Sequence, residues 1–255
     1  MGTLSLHSLP TLLNTKLSFF VTLVGLSTIT SAVDAPSTDA ARPPKNWAVA
    51  IYDSFDTIDV FGPLNPLWYL AFSLQMNLAL IAPTLSPVWV QPADPALNKQ
   101  NSSFWFSDIE VLLIPGGPGS VLGNVDEVID FVKDTYPSLK YLITTCTGAG
   151  IAARAGVLDE KRATTNKKAW TTITAMGPKV EWVSPARWTV DGNVWTSSGV
   201  TSGLDLIFAF IEEVYGKDYA KGLQDTIEYV RAENACDDPF AAVNDVPPSG
   251  ICSMT

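Results

Sequence analysis

The sequence predicts an α/β domain: a mostly parallel sheet covered by helices on both faces. Three observations carry this reading. From Asn46 onward, short β-rich runs alternate with helical ones, as in strands joined by helical crossovers. Residues 109–114 (I-E-V-L-L-I) have the length and apolar character of a buried central strand. Residues 141–150 (Y-L-I-T-T-C-T-G-A-G) run from an apolar strand straight into a helix of small residues, which has the form of a nucleophile elbow.

Taken in order, residues 47–52 read as the first strand. Residues 63–74 read as a helix entered through Gly62-Pro63, with proline standing where a missing N–H does no harm. Residues 78–81 and 88–91 are short strands, and 109–114 is the central one. Residues 125–136 are helical, and 141–145 form the next buried strand. The small-residue helix at 148–155 is able to pack closely under a sheet. Residues 187–190 and 194–197 flank Asp191-Gly192, a two-residue hairpin signal. Helices at 201–214 and 217–230 follow. No internal repeat or Pro/Gly/Ser-rich interior linker divides the chain, so one domain is expected over 46–230, followed by a polar C-terminal tail at 231–255.

The composition, 47% hydrophobic and 16% charged over 255 residues, is that of a foldable globular chain. The formal net charge of −10, with no local basic patch, argues against nucleic acid and anionic membrane surfaces as partners. Residues 1–32 read as a secretory signal peptide: a lone Lys16, the apolar run 17–26, and small residues Thr30-Ser31-Ala32 before a cleavage point near Ala32. The run is broken by Ser27, Thr28, Thr30 and Ser31 before it reaches the roughly 20 residues a spanning helix needs. An uncleaved anchor or a hydrophobic tail is the other reading. Cleavage implies a secreted protein without stable membrane association, and it removes His7, the chain's only histidine. The sequon Asn101-Ser102-Ser103 marks Asn101 as a glycosylation candidate in keeping with secretion.

Cys236 and Cys252 lie in the polar C-terminal segment, and a disulfide between them would close a loop in an oxidising compartment. Two free surface thiols are the alternative, because spacing does not establish connectivity. Cys146 is then the odd cysteine. Placed between an apolar strand and a helix N-terminus, it is expected to have a lowered thiol pKa and to act as a nucleophile. A small buried hydrophobe at a strand end is the competing reading. Residues 114–120 (I-P-G-G-P-G-S) also follow a central strand, and their glycines allow a backbone N–H, with that of Thr147, to form an oxyanion hole; alone they are only a tight turn. Asp59, between Ile58 and Val60, is either a carboxyl group with a raised pKa that moves protons near neutrality or a helix-capping or solvated loop residue.

In this order, strand-D-x-x-G-P, strand-P-G-G-x-G and strand-x-C-T-G-A resemble the ThiJ/PfpI superfamily of class I glutamine amidotransferase-like folds, and within it the isonitrile hydratase branch. A-G-V-L-D at 155–159, R-A-T-T at 162–165 and D-G-N-V-W-T-S-S-G-V-T-S-G-L-D at 191–205 extend the resemblance over about residues 46–229. It implies a flavodoxin-like three-layer sandwich, a small-molecule substrate and a homodimer. Carried over residue by residue, it implies that Cys146 is the nucleophile and Asp59 its acidic partner, with Thr147 supplying the adjacent hydroxyl and amide and Gly117 an oxyanion amide.

Where many relatives carry histidine after R-A-T-T, this chain has Asn166-Lys167-Lys168-Ala169-Trp170. A mature chain without histidine cannot build the Cys-His pair of glutaminase and peptidase members. Glyoxalase-like members also commonly use a histidine for proton transfer. Isonitrile hydration resembles a mechanism that needs only a thiolate and a carboxyl group. The expected activity is therefore conversion of an isonitrile to an N-substituted formamide through a Cys146 thioimidate. No metal or organic cofactor is expected, since the sequence has no His/Cys cluster at ligand spacing and no phosphate-cradling glycine motif. A reversible cysteine redox sensor and an inactive or glyoxalase-like secreted member are the competing functions. Trp68, Trp170 and Trp195 either line an apolar substrate pocket or belong to the core.

Overall fold

The computed structural model describes residues 42–83 and 109–253. Its main sheet has six strands: β1 (Asn46–Ala50), β2 (Asn77–Ile81), β3 (Val111–Ile114), β4 (Tyr141–Thr144), β7 (Trp188–Asp191) and β8 (Val194–Ser197). The spatial order is β2-β1-β3-β4-β8-β7, parallel throughout except where β7 pairs antiparallel with β8. Two short strands, β5 (Arg162–Ala163) and β6 (Glu181–Trp182), make a separate parallel ribbon that sequence periodicity did not reveal. The helices form two packed groups. One contains α1 (Thr57–Leu70), α6 (Ser202–Tyr215) and α7 (Lys217–Ile227); the other contains α2 (Gly119–Leu122), α3 (Asp126–Thr135), α4 (Gly148–Arg154) and α5 (Trp170–Thr174). This is the flavodoxin-like α/β arrangement expected.

The sheet's topology decides where a site can lie. The chain leaves β1 toward β2 on one side and returns to place β3 on the other, so a crevice opens at the C-terminal ends of β1 and β3, where the order reverses. All four residues of β3 are fully buried, which explains their unbroken apolar run. Phe210 of α6 lies at the centre of an aromatic core, meeting Trp47, Tyr141 and Trp195 edge-on at centroid separations of 5.4, 5.0 and 5.1 Å.

The first helix differs from expectation in a way that matters for the site. It begins at Thr57 rather than Pro63, because the Asp56 side chain caps it by accepting the N–H groups of Ile58 (2.9 Å) and Asp59 (3.4 Å). Pro63 and Pro66 therefore lie inside the helix. Pro63 has no N–H to offer the Asp59 carbonyl one turn earlier, and the Thr145 hydroxyl, coming from beyond the end of β4, donates to that carbonyl at 3.4 Å instead. The hairpin is also displaced by one residue: Asp191 pairs with Val194, so the turn is Gly192-Asn193, with Gly192 at φ +59°.

The C-terminal segment is part of the domain. Cys236 and Cys252 form the expected disulfide, with their Cα atoms 5.7 Å apart. Between them lies the short helix α8 (Phe240–Val243). The Arg187 N–H donates to the Ala235 carbonyl at 2.7 Å, Ser184 and Ser249 exchange two backbone bonds, and Arg162 Nη1 reaches Ser253 Oγ at 2.6 Å. Residues 231–253 thus belong to the same compact unit as the described residues from Asn46 to Val230. The leader expected at 1–32, the strand expected at 88–91 and Asn101 lie outside the described residues. Among the described residues, no helix is long and apolar enough to cross a membrane.

Candidate active site

Cys146 sits just beyond β4 in a left-handed backbone conformation, φ +53°, which is costly for any residue with a Cβ and is held here by its surroundings. The Thr145 N–H donates to the Ile114 carbonyl at 3.0 Å, the Gly148 N–H donates back to Thr145 at 2.9 Å, and the Thr165 hydroxyl donates to the Cys146 carbonyl at 2.8 Å. At Gly148 a Cβ would lie 2.3 Å from the Ile114 carbonyl oxygen, so glycine lets α4 begin directly under the loop that follows β3.

Asp59, in the first turn of α1, is fully buried. Its Oδ2 accepts the Gly116 N–H at 2.9 Å, while Oδ1 is buried without a hydrogen-bond partner among the described residues. Gly116 is the contact point of the site. A Cβ there would lie 2.5 Å from the Thr147 nitrogen, 2.7 Å from Asp59 Oδ2 and 2.8 Å from Cys146 Cβ, so a bare backbone lets Asp59 and the Cys146 turn converge. Burial raises the Asp59 carboxyl pKa to about 7, with help from the nearby charge of Asp56 and against the pull of the Gly116 N–H and the Cys146 thiol. The residue is therefore both a cap-adjacent helical aspartate and a group poised to exchange a proton at neutral pH.

The expectation for the cysteine thiol is reversed. Cys146 is 5% exposed; burial pushes its pKa well above the usual thiol range, and the Asp59 carboxylate pushes it further. The Thr147 N–H and the Asn166 amide favour the thiolate but do not prevail. α4 has only seven residues, and a helix terminus contributes about 0.3–1 kcal/mol near its end, less than the cost of taking a thiolate out of water. At rest the pair holds its proton on sulfur, with Asp59 the group that exchanges one near neutrality.

Thr147 and Gly117 meet, but in a different role from the one expected. The Gly117 N–H donates to Thr147 Oγ1 at 2.9 Å, and Ser120 Oγ donates to the same oxygen at 2.7 Å. The Gly117 amide is thus engaged in joining the loop after β3 to the elbow and is not free as an oxyanion donor. Its backbone is at φ +135°, where a Cβ would come within 2.4 Å of the Ser54 carbonyl oxygen.

The residue that the sequence reading did not assign to the site is Asn166. Its Nδ2 donates to Cys146 Sγ at 3.3 Å, while its Oδ1 accepts the Ala169 N–H at 3.1 Å, a bond that fixes which end of the amide faces the sulfur. The usable signal was its place directly after R-A-T-T, where many relatives carry histidine. The tryptophans do not gather around one pocket: Trp195 is in the core, Trp68 is exposed on α1, and Trp170 is half-buried, 6.2 Å from Trp182. Among the described residues, no group of three or more His, Cys, Asp or Glu side chains is placed to hold a metal ion.

Comparison with known proteins agrees with this fold. Residues 92–213 match the DJ-1/PfpI family. Isonitrile hydratase of Pseudomonas putida is 31% identical over 127 residues, which is 49% of this chain and 54% of that protein. The HTH-type transcriptional regulator GbdR of Pseudomonas aeruginosa is 25% identical over 206 residues, 77% of this chain and 54% of the regulator. The chain thus spans about half the length of the curated relatives it matches. A ThiJ/PfpI family protein from Pseudomonas syringae shares the fold, with a TM-score of 0.58, 24% identity, and coverage of 79% of this chain and 84% of that one. By these matches, the chain carries a DJ-1/PfpI (ThiJ) family domain.

Proposed function

We propose that this protein hydrates an isonitrile to an N-substituted formamide, with Cys146 as nucleophile and Asp59 moving every proton. The observation that carries the reading is the composition of the site. A thiol on a strained elbow faces one buried carboxyl group with a pKa near 7, and an amide that can neither give up nor take a proton stands at its other side. Such a site has a nucleophile and a single acid–base group, which is the minimum this reaction needs.

In the first half-reaction the Asp59 carboxylate takes the S–H proton as sulfur bonds to the terminal carbon of R–N≡C. The proton then passes from Asp59 to that carbon, leaving the thioimidate R–N=CH–S–Cys146. In the second, water adds to the same carbon while Asp59 takes a water proton and delivers it to nitrogen, giving R–NH–CH(OH)–S–Cys146. Collapse breaks the C–S bond, and Asp59 carries the hydroxyl proton to the departing sulfur. The products are R–NH–CHO and the thiol, so atoms and charge balance.

The test is formamide production from a panel of alkyl and aryl isonitriles. Cys146→Ala is expected to abolish turnover, and a wild-type protein that converts none of the panel sinks the assignment. A second reading is favoured by the high pKa of the buried thiol: a domain that binds or senses a small molecule without turning it over. The match to a transcriptional regulator is in keeping with it. We place the protein outside the cytosol, a reading supported by the disulfide, and propose that it pairs as a homodimer through the exposed residues Ile58, Phe61, Trp68 and Phe72 of α1 and the turn that follows it.

A further inference from the structure

Directly after Asn166, the side chain of Lys167 turns inward and is buried, 1% exposed. Its ammonium lies 2.9 Å from Thr164 Oγ1, 3.1 Å from the Thr165 carbonyl, 3.0 Å from the Ala186 carbonyl, 2.9 Å from Ser198 Oγ and 3.0 Å from Asp238 Oδ2. Asp238 is equally buried. It accepts the Ser198 hydroxyl at 3.1 Å and, through Oδ1, the Phe240 N–H at 3.1 Å. It stands two residues beyond Cys236, within the loop that the Cys236–Cys252 disulfide closes.

A buried ion pair is a poor way to gain stability, because desolvation of both charges offsets their attraction and an apolar pair of similar volume does as well or better. What this pair does have is position. Lys167 gathers Thr164, Thr165 and the C-terminal loop around one ammonium. The backbone it pins is the segment that reaches the nucleophile twice, through Thr165 Oγ1 on the Cys146 carbonyl and through Asn166 Nδ2 on the sulfur. Nothing in residues 164–167 is helix or strand, so no local ladder of hydrogen bonds sets that geometry.

We propose that Lys167 and Asp238 are positioning residues for the nucleophile: the disulfide-closed C-terminal loop delivers a carboxylate that holds Lys167, and through it sets the Asn166 amide on Cys146 Sγ. The inference rests on reading Cys146 as a nucleophile and is independent of which substrate it attacks.

The experiment is the rate at which iodoacetamide alkylates Cys146, the free thiol among the described residues, followed by mass spectrometry from neutral to alkaline pH in disulfide-intact protein. Lys167→Met combined with Asp238→Leu removes both charges and leaves no unpaired ion. Alkylation near neutrality is expected to fall about tenfold and the profile to move to higher pH, as in Asn166→Ala, with no further change when the three substitutions are combined. A folded variant with the parental profile overturns the proposal, and so does a loss that adds to that of Asn166→Ala. Asp238→Asn, which keeps the side chain's shape, is read in the same way should the apolar pair not fold. Isonitrile turnover is measured alongside. Altered alkylation in a protein that hydrates no isonitrile removes the substrate assignment and leaves the positioning role. Turnover with unchanged alkylation removes the positioning role alone.

Discussion

The two flanks of Cys146 are built from different chemistry on different kinds of backbone. On one side Asp59 projects from a capped, regular helix, with a buried carboxyl group that titrates at about 7. On the other, Asn166 projects from irregular chain, carries no titratable proton, and owes its orientation to the Ala169 N–H and its place to tertiary contacts. The difference teaches that titratable chemistry lies on one side of the sulfur, so that proton transfer in the proposed reaction is one-sided. A Cys-His arrangement would divide the work between two groups, one beside the sulfur to accept its proton and one to orient the first. Here the residue beside the sulfur can only donate a hydrogen bond.

The strongest way to break the comparison is to neutralise the titratable flank. Asp59→Asn is expected to lower formamide production by about 10²–10⁴-fold and to abolish the rise of kcat/KM with pH through about 7 that is expected of the parent as Asp59 ionises. The same substitution has an opposite effect on stability. Between the ordinary carboxyl value of 3.8 and about 7, folded chain holds a proton that unfolded chain has released, so the parent loses stability as pH rises through that window. Asp59→Asn removes this loss. It is expected to stabilise by about 2–4 kcal/mol in urea denaturation at mildly alkaline pH and by little in acid. A gain that is the same at both pH values would mean that burial does not raise this carboxyl group.

Gly116→Ala pries Asp59 away from Cys146 without substituting either. The added methyl meets Asp59 Oδ2, Cys146 Cβ and the Thr147 nitrogen within 2.8 Å, so the loop after β3 must move away from the elbow. A stability cost of about 1–3 kcal/mol is expected by chemical denaturation, with a loss of turnover larger than that cost explains. Full activity in this variant would show that Asp59 and Cys146 do not act as a unit.

The smallest effect is expected from making the second flank titratable. Asn166→His places an imidazole where the amide now meets the sulfur at 3.3 Å. Alkylation of Cys146 near neutrality should rise about tenfold, with a new inflection near the ordinary histidine value of about 6.5. An unchanged profile would mean that the Asn166 side chain does not govern the thiol.

Much of this was legible in advance, for reasons that differ residue by residue. The strand before Cys146 and the small residues after it constrain the backbone locally, so the elbow can be read from ten consecutive positions. The apolar run of β3 reports burial on both faces, which is a property of its composition. The hairpin signal was right in kind and wrong by one residue, because the glycine at φ +59° takes the first turn position rather than the second. The start of α1 was misread because Pro63 looks like an N-terminus, while its real tolerance depends on Thr145, which lies 82 residues further along and supplies the hydroxyl for the carbonyl that proline leaves open.

What the sequence determined by itself is therefore the set of parts: an α/β sheet, a cysteine on a tight turn, glycines after the neighbouring strand, Asp59 after the first, a cysteine pair near the C-terminus, and no histidine beyond residue 7. Only the tertiary structure decided their chemistry. Whether a thiol pKa rises or falls depends on how much water is removed from around it and which charges remain nearby, and those quantities come from segments that are remote in the chain. The same holds for Gly117, whose amide turned out to be spent on Thr147, and for Lys167, whose charge is satisfied 71 residues away by Asp238. Hydrogen bonding and solvation are properties of proximity in space, and proximity between distant segments is what folding adds.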